Sequence, residues 1–196
     1  RNKVENNLFI KDKFLFEVSE FSKSITKKSI YLGESSIKKV NFNDINLVNI
    51  DNFDQLSNKF IPALALPEKA GFNNLIIHPF GISPWNKNNN KLLEIEQIVD
   101  AKFLFQLFVR GRPFIGSDYK NENLAEVIKN LEIEQRLSGI IVYGCPYLFN
   151  KIKNNIHHSI PMAYTPSQTV EAQSQILNRI LQSKKSYKKV IQEFTD

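Results

Sequence analysis

The sequence predicts a three-layer α/β sandwich around a mostly parallel sheet, with an irregular N-terminal arm. Two stretches predict it. Lys102 to Val109 contains Phe103, Leu104, Phe105, Leu107, Phe108 and Val109, a near-continuous apolar run of the kind found in a strand covered on both faces. Gly139 to Leu181 then alternates apolar runs of strand length with segments of helical spacing, the pattern of a parallel α/β unit. An apolar content of 42% is enough for a real core in a chain of one domain or a domain with an appendage.

Taken in order, residues 1–45 read as an arm or linker packed on the domain. Asn7 to Phe16 is expected to form a strand or docking arm, and Phe14, Phe16 and Phe21 to pack on the main domain or on another one. Ser29 to Leu32 and Lys39 to Phe42 read as short strands, and Asn46 to Ile50 as a better one. Asp51-Asn52 marks a turn, and Phe53 to Lys59 one or two helical turns. Ile61 to Pro67 is apolar but bracketed by prolines, which predicts an edge strand or an extended connector. Glu68 to Gly71 reads as a helical turn closed by glycine. Asn74 to His78 is a strand, and Pro79 to Lys91 a polar loop holding Trp85.

Leu92 to Val99 reads as a short helix. The strand Lys102–Val109 is expected at the centre of the sheet, with Gly139–Tyr143 beside or near it. Between them Asn121 is expected to cap a helix carrying Leu124, Val127, Ile128 and Leu131. Pro146 to Asn155 is a helix with Leu148, Ile152 and Ile156 on one face. Ile160 to Tyr164 is a strand. Thr165-Pro166-Ser167-Gln168 has the form of a capping box with proline at the first helical position. It opens a helix whose stripe is Ala172, Ile176, Leu177, Ile180 and Leu181. Residues 46–183 thus form the sandwich, of flavodoxin-like type, and 184–196 a basic tail or helix with Tyr187, Val190, Ile191 and Phe194 on one side.

Composition narrows the function. The net charge of +6 comes mostly from lysine, in scattered pairs such as Lys27-Lys28 and Lys188-Lys189. The aromatics sit inside apolar runs rather than between basic residues, so these lysines read as a solvated surface and not a nucleic-acid interface. No run of about eighteen apolar residues suggests a membrane span. The single Cys145 cannot form an intramolecular disulfide and suits a reducing, cytoplasmic setting. It reads as a small residue filling a turn. His157-His158 point in different directions and read as surface residues, with no metal site. The seven glycines are too scattered for a phosphate loop, and no cofactor is expected. Arg1, in place of an initiator methionine, reads as a piece of a longer polypeptide or a processed chain.

Three motifs in order carry a family resemblance. Phe108 to Phe114 is similar to a strand end of the form F-x-R-G-N-P-F. Tyr143-Gly144-Cys145-Pro146-Tyr147 is similar to a Y-G-S-P-Y turn, and the helix after the next short strand contains Ala172-Gln173. Together, over roughly residues 91–183, they resemble the C-terminal α/β domain of glycoside hydrolase family 3, of the β-glucosidase and β-N-acetylglucosaminidase class. The resemblance implies hydrolysis of O-glycosidic bonds by a parent enzyme whose nucleophilic aspartate lies on a preceding (β/α)8 barrel. It implies two partners, that catalytic barrel in the same polypeptide and a carbohydrate substrate. The general acid in the family is either a glutamate from this domain or a histidine of a barrel loop. No residue here is assigned to either role, so no catalytic residue is expected in this stretch. Arg112 and Cys145 depart from the pattern, which has asparagine and serine there.

Read from the residues alone, the site belongs in the crevice beyond the carboxyl ends of the strands. The candidates for substrate contact there are Arg110, Arg112, Asp118, Tyr147 and Gln168, with Trp85 on its own loop as an aromatic that stacks on a sugar or anchors the loop. An arginine pair suits a carboxylate, phosphate or hydroxyls, although Arg110 equally suits a bracing role. Retaining hydrolysis needs two carboxyl groups about 5 Å apart, and no such pair declares itself. The alternative is a stand-alone carbohydrate-binding or protein-interaction module of the same fold.

Overall fold

The computed structural model describes residues 2–50, 61–77, 100–109 and 118–181. Within these the chain forms α1 (Asn2–Ser29), β1 (Tyr31–Leu32), β2 (Ile45–Ile50), α2 (Pro62–Ala70), β3 (Asn73–Ile77), β4 (Phe103–Val109), α3 (Asp118–Ile133), β5 (Leu137–Gly144), α4 (Pro146–Asn155), β6 (Met162–Thr165) and α5 (Val170–Ile180). The strands lie in the order β1-β6-β5-β4-β2-β3. All adjacent pairs are parallel except β1 with β6. Counted from β2, the parallel strands have the 2-1-3-4-5 order of flavodoxin-like folds.

The apolar run of β4 is explained by its place. It lies between β2 and β5, and all seven residues are buried. Successive side chains alternate faces. Phe103, Phe105, Leu107 and Val109 join one core, with Ile128 and Leu131 of α3 and Leu148 and Ile152 of α4. Leu104 and Phe108 join the other, with Leu64 and Leu66 of α2 and Ile176 and Leu177 of α5.

Several boundaries differ from expectation, each for a local reason. Asn7–Phe16 is neither strand nor irregular arm. It lies inside α1, because no glycine or proline interrupts residues 2–29. Phe16 and Phe21 do not pack on the domain but are exposed. Lys39–Phe42 is not a strand. It leads into a turn in which the Asp44 amide donates to the Asn41 carbonyl, and the buried Asp44 carboxylate accepts from the amides of Asn41 and Lys102. α3 begins at Asp118, so Asn121 lies in its first turn rather than at its cap. β6 starts at Met162, after Pro161. The cap of α5 is Thr169, whose Oγ1 accepts from the Ala172 amide at 3.4 Å, and Pro166 lies outside that helix. α4 has the expected bounds.

The proline-bracketed segment shows the largest local difference. It forms α2, with Pro62 at the first position, where no N–H is needed. Pro67 lies inside the helix and leaves the Ala63 carbonyl without its usual partner four residues on. Two side chains from the sheet supply the missing donors. Asn46 Nδ2 reaches the Ala63 carbonyl at 2.9 Å and Gln106 Nε2 reaches it at 2.6 Å. Gly71, at φ 106°, closes the helix in the left-handed conformation. The stretches 51–60 and 78–99, with the loop of Trp85 and the helix expected at Leu92–Val99, and the tail after Leu181 lie outside the described residues.

Candidate functional site

Parallel strands send their carboxyl ends to one edge of the sheet. The switch point lies between β2 and β4, because the chain leaves these neighbours in opposite directions. The loops that follow them, with Arg110 and Arg112, lie outside the described residues. Asp118 opens α3 at this same edge. The described part of the edge is the turn after β5 and the loop from β6 to α5.

These two pieces converge on Gly144. Its φ is +105°, a conformation that glycine adopts freely and other residues rarely do. A Cβ there would stand 2.4 Å from the Val109 carbonyl oxygen and 2.9 Å from Gln168 Nε2. The end of β4, the end of β5 and the loop before α5 are therefore in close contact. Gln168 Nε2 donates to the Tyr143 carbonyl at 3.1 Å, and the Gln168 carbonyl accepts from Gln173 Nε2 at 2.9 Å. Gln168 thus ties the loop to the turn. Beyond Gly144, Cys145 is buried at the N-cap of α4, while Tyr147 is 82% exposed. The structure brings Gln168 to the turn that carries Tyr147.

Beneath the turn lies an amide network, buried at Tyr143, Gln106, Asn46 and Gln173, that sequence reading missed. Tyr143 donates its hydroxyl to Gln106 Oε1 at 2.9 Å. Gln106 Nε2 donates to Asn46 Oδ1 at 2.7 Å, and Asn46 Nδ2 donates to Asn74 Oδ1 at 2.8 Å. Gln173 Oε1 accepts from the Ala63 amide at 3.2 Å. The network spans four strands and two helices, and it fixes the sheet against α2 and α5. Burial pushes the Tyr143 hydroxyl well above its ordinary pKa, so it stays a neutral donor. Its ring stacks on Phe108 at 4.2 Å. The signal was present in β4: a single glutamine in FLFQLFV has to find partners once buried.

His157 and His158 are exposed, as expected, but they do not point apart: their rings lie against each other, with centroids 4.2 Å apart and planes at 32°. Among the described residues no three His, Cys, Asp or Glu side chains gather as a metal site. No helix of the described residues is long and apolar enough to cross a membrane.

The family described as "Bacterial Glycosyl hydrolase family 3 C-terminal domain" matches residues 37–182, which include every described element from β2 to α5. The chain belongs to this family. Among solved structures, this family 3 domain is similar to a glycoside hydrolase family 3 β-N-acetylglucosaminidase from Paenibacillus sp. str. FPU-7, at 13% identity and a TM-score of 0.54 over 85% of this chain and 30% of that one. A second similarity is to Zn-bound CbsA from Thermotoga neapolitana, at 10% identity and a TM-score of 0.40 over 82% of this chain and 30% of that one. The family 3 domain thus spans less than a third of either structure. No curated protein matches it in sequence.

Proposed function

We propose that this domain serves as the accessory domain of a glycoside hydrolase that cleaves O-glycosidic bonds of the β-glucoside or β-N-acetylglucosaminide class, with a catalytic (β/α)8 barrel in the same polypeptide. The observation that carries the reading is the family match across residues 37–182. In this reading the carboxyl edge of the sheet walls the substrate crevice. Tyr147 offers an exposed aromatic face to a sugar ring. Gln168 holds the turn that presents it. Arg110, Arg112, Asp118 and Trp85 are proposed to line the same edge.

The test compares this 196-residue chain with the natural polypeptide that carries it, on aryl β-glucosides and aryl β-N-acetylglucosaminides. The expected result is turnover by the natural polypeptide, none by the chain alone, and a KM raised severalfold by Tyr147→Ala in the natural polypeptide. Turnover by the chain alone, or a natural polypeptide without a barrel, sinks the reading in favour of a self-sufficient module.

A further inference from the structure

α1 is about 42 Å long at 1.5 Å per residue, against about 16 Å for α5, the helix it lies on. Its attachment is local and polar. Gln175 Nε2 of α5 donates to the Lys23 carbonyl at 3.3 Å, and Thr26 is buried. Glu20, Lys23 and Lys27 line the groove shared with α5. At about 100° per residue, Leu15, Val18, Phe21 and Ile25 fall in a sector of roughly 120° on the opposite side of the helix. Their exposures are 53%, 46%, 68% and 51%. An apolar stripe of this kind on an otherwise well-packed domain marks an interaction surface.

We infer that this face of α1 docks on the catalytic domain of the same polypeptide. The inference rests on the function proposed above. One observation and the physics of a tethered partner choose this occupant over a second copy of the chain. The family match begins at residue 37, so α1 lies outside the matched α/β body and on its N-terminal side. That is the side from which a C-terminal domain joins the rest of its polypeptide. A domain linked in this way meets α1 at an effective concentration of roughly millimolar. Four large side chains then anchor an intrachain interface, a class that typically buries about 600–1,500 Å². The polar side of α1 holds the accessory domain and its apolar side holds the catalytic one, so the helix sets the spacing between them.

Hydrogen exchange tests the inference. Amide exchange across residues 15–25 is measured in the 196-residue chain and in the natural polypeptide. The expected result is exchange at least tenfold slower in the natural polypeptide, independent of concentration. The double substitution Val18→Asp, Phe21→Glu restores fast exchange there and leaves the melting temperature of the 196-residue chain unchanged. Equal exchange in both, with a catalytic domain present, overturns the docking surface and leaves the proposed function standing. Protection that grows with the concentration of the 196-residue chain overturns it in favour of a second copy. A natural polypeptide that encodes no catalytic domain overturns the proposed function, and the docking surface with it.

Discussion

α1 and α5 lie side by side and each carries an apolar stripe, yet the environments of the two stripes are opposite. In α5, Ala172, Ile176, Leu177 and Ile180 are buried against the sheet. In α1, Leu15, Val18, Phe21 and Ile25 face away from the domain and are exposed. Both stripes obey the same helical period. The difference teaches that spacing identifies which face of a helix is apolar but not which body covers it. The cover of α5 is the sheet of the same domain, and the cover of α1 is the partner inferred above.

The comparison predicts a steep gradient of mutational cost. Val142→Asp places a charge at a fully buried site of β5 and costs on the order of 4–5 kcal/mol, enough to remove a cooperative melting transition. Val18→Asp, on the open face of α1, is expected to fall within about 0.5 kcal/mol of wild type in the 196-residue chain. Thermal melting of both variants checks the pair, and equal losses would show that α1 is packed on the domain after all.

The amide network comes next in size. Gln106→Ala removes the partner of the Tyr143 hydroxyl and one of the two donors that cover the Ala63 carbonyl. A loss of about 3 kcal/mol is expected in denaturant titration, since buried polar groups left unpaired cost about 1–3 kcal/mol each. A near-neutral effect would mean that water repairs the network. Thr169→Ala, which removes the α5 cap, is expected to cost about 1 kcal/mol in the same titration.

The smallest effect is a pH dependence. Burial alone would raise the Glu132 carboxyl. The hydrogen bonds from Lys129 and the His157 amide, together with the charge on Lys129, outweigh burial and hold it below the ordinary carboxylate pKa. A carboxyl depressed in the folded state stabilises the fold above its unfolded pKa, and that stabilisation is lost as pH falls through the folded value. Glu132→Gln should therefore flatten the acid limb of stability against pH and leave its slope near neutrality unchanged. An unchanged acid limb would assign the loss to other carboxylates.

What was legible in the sequence was what depends on one segment at a time. The near-continuous apolar run of β4, the bounds of α4 and the stripe of α5 are legible in the residues themselves, because a central strand or a half-covered helix writes its environment into its own pattern. The Tyr143–Tyr147 motif pointed to the family for a similar reason: it is a short turn whose backbone geometry constrains its residues, as the positive φ of Gly144 shows.

The tertiary structure alone decided the rest. Pro62 and Pro67 argue locally against a helix. α2 exists because Asn46 and Gln106, distant in sequence, supply the donors that Pro67 lacks. Asn121 and Thr165 are as good cap residues as Thr169, and the choice fell to where the chain meets the sheet. Gln168 was legible as a residue of the carboxyl edge, but its hold on the Tyr143 carbonyl was not. The physical reason is common to all of these. A hydrogen bond between residues far apart in the chain leaves no periodic trace in either segment, so only the folded arrangement shows which groups satisfy one another.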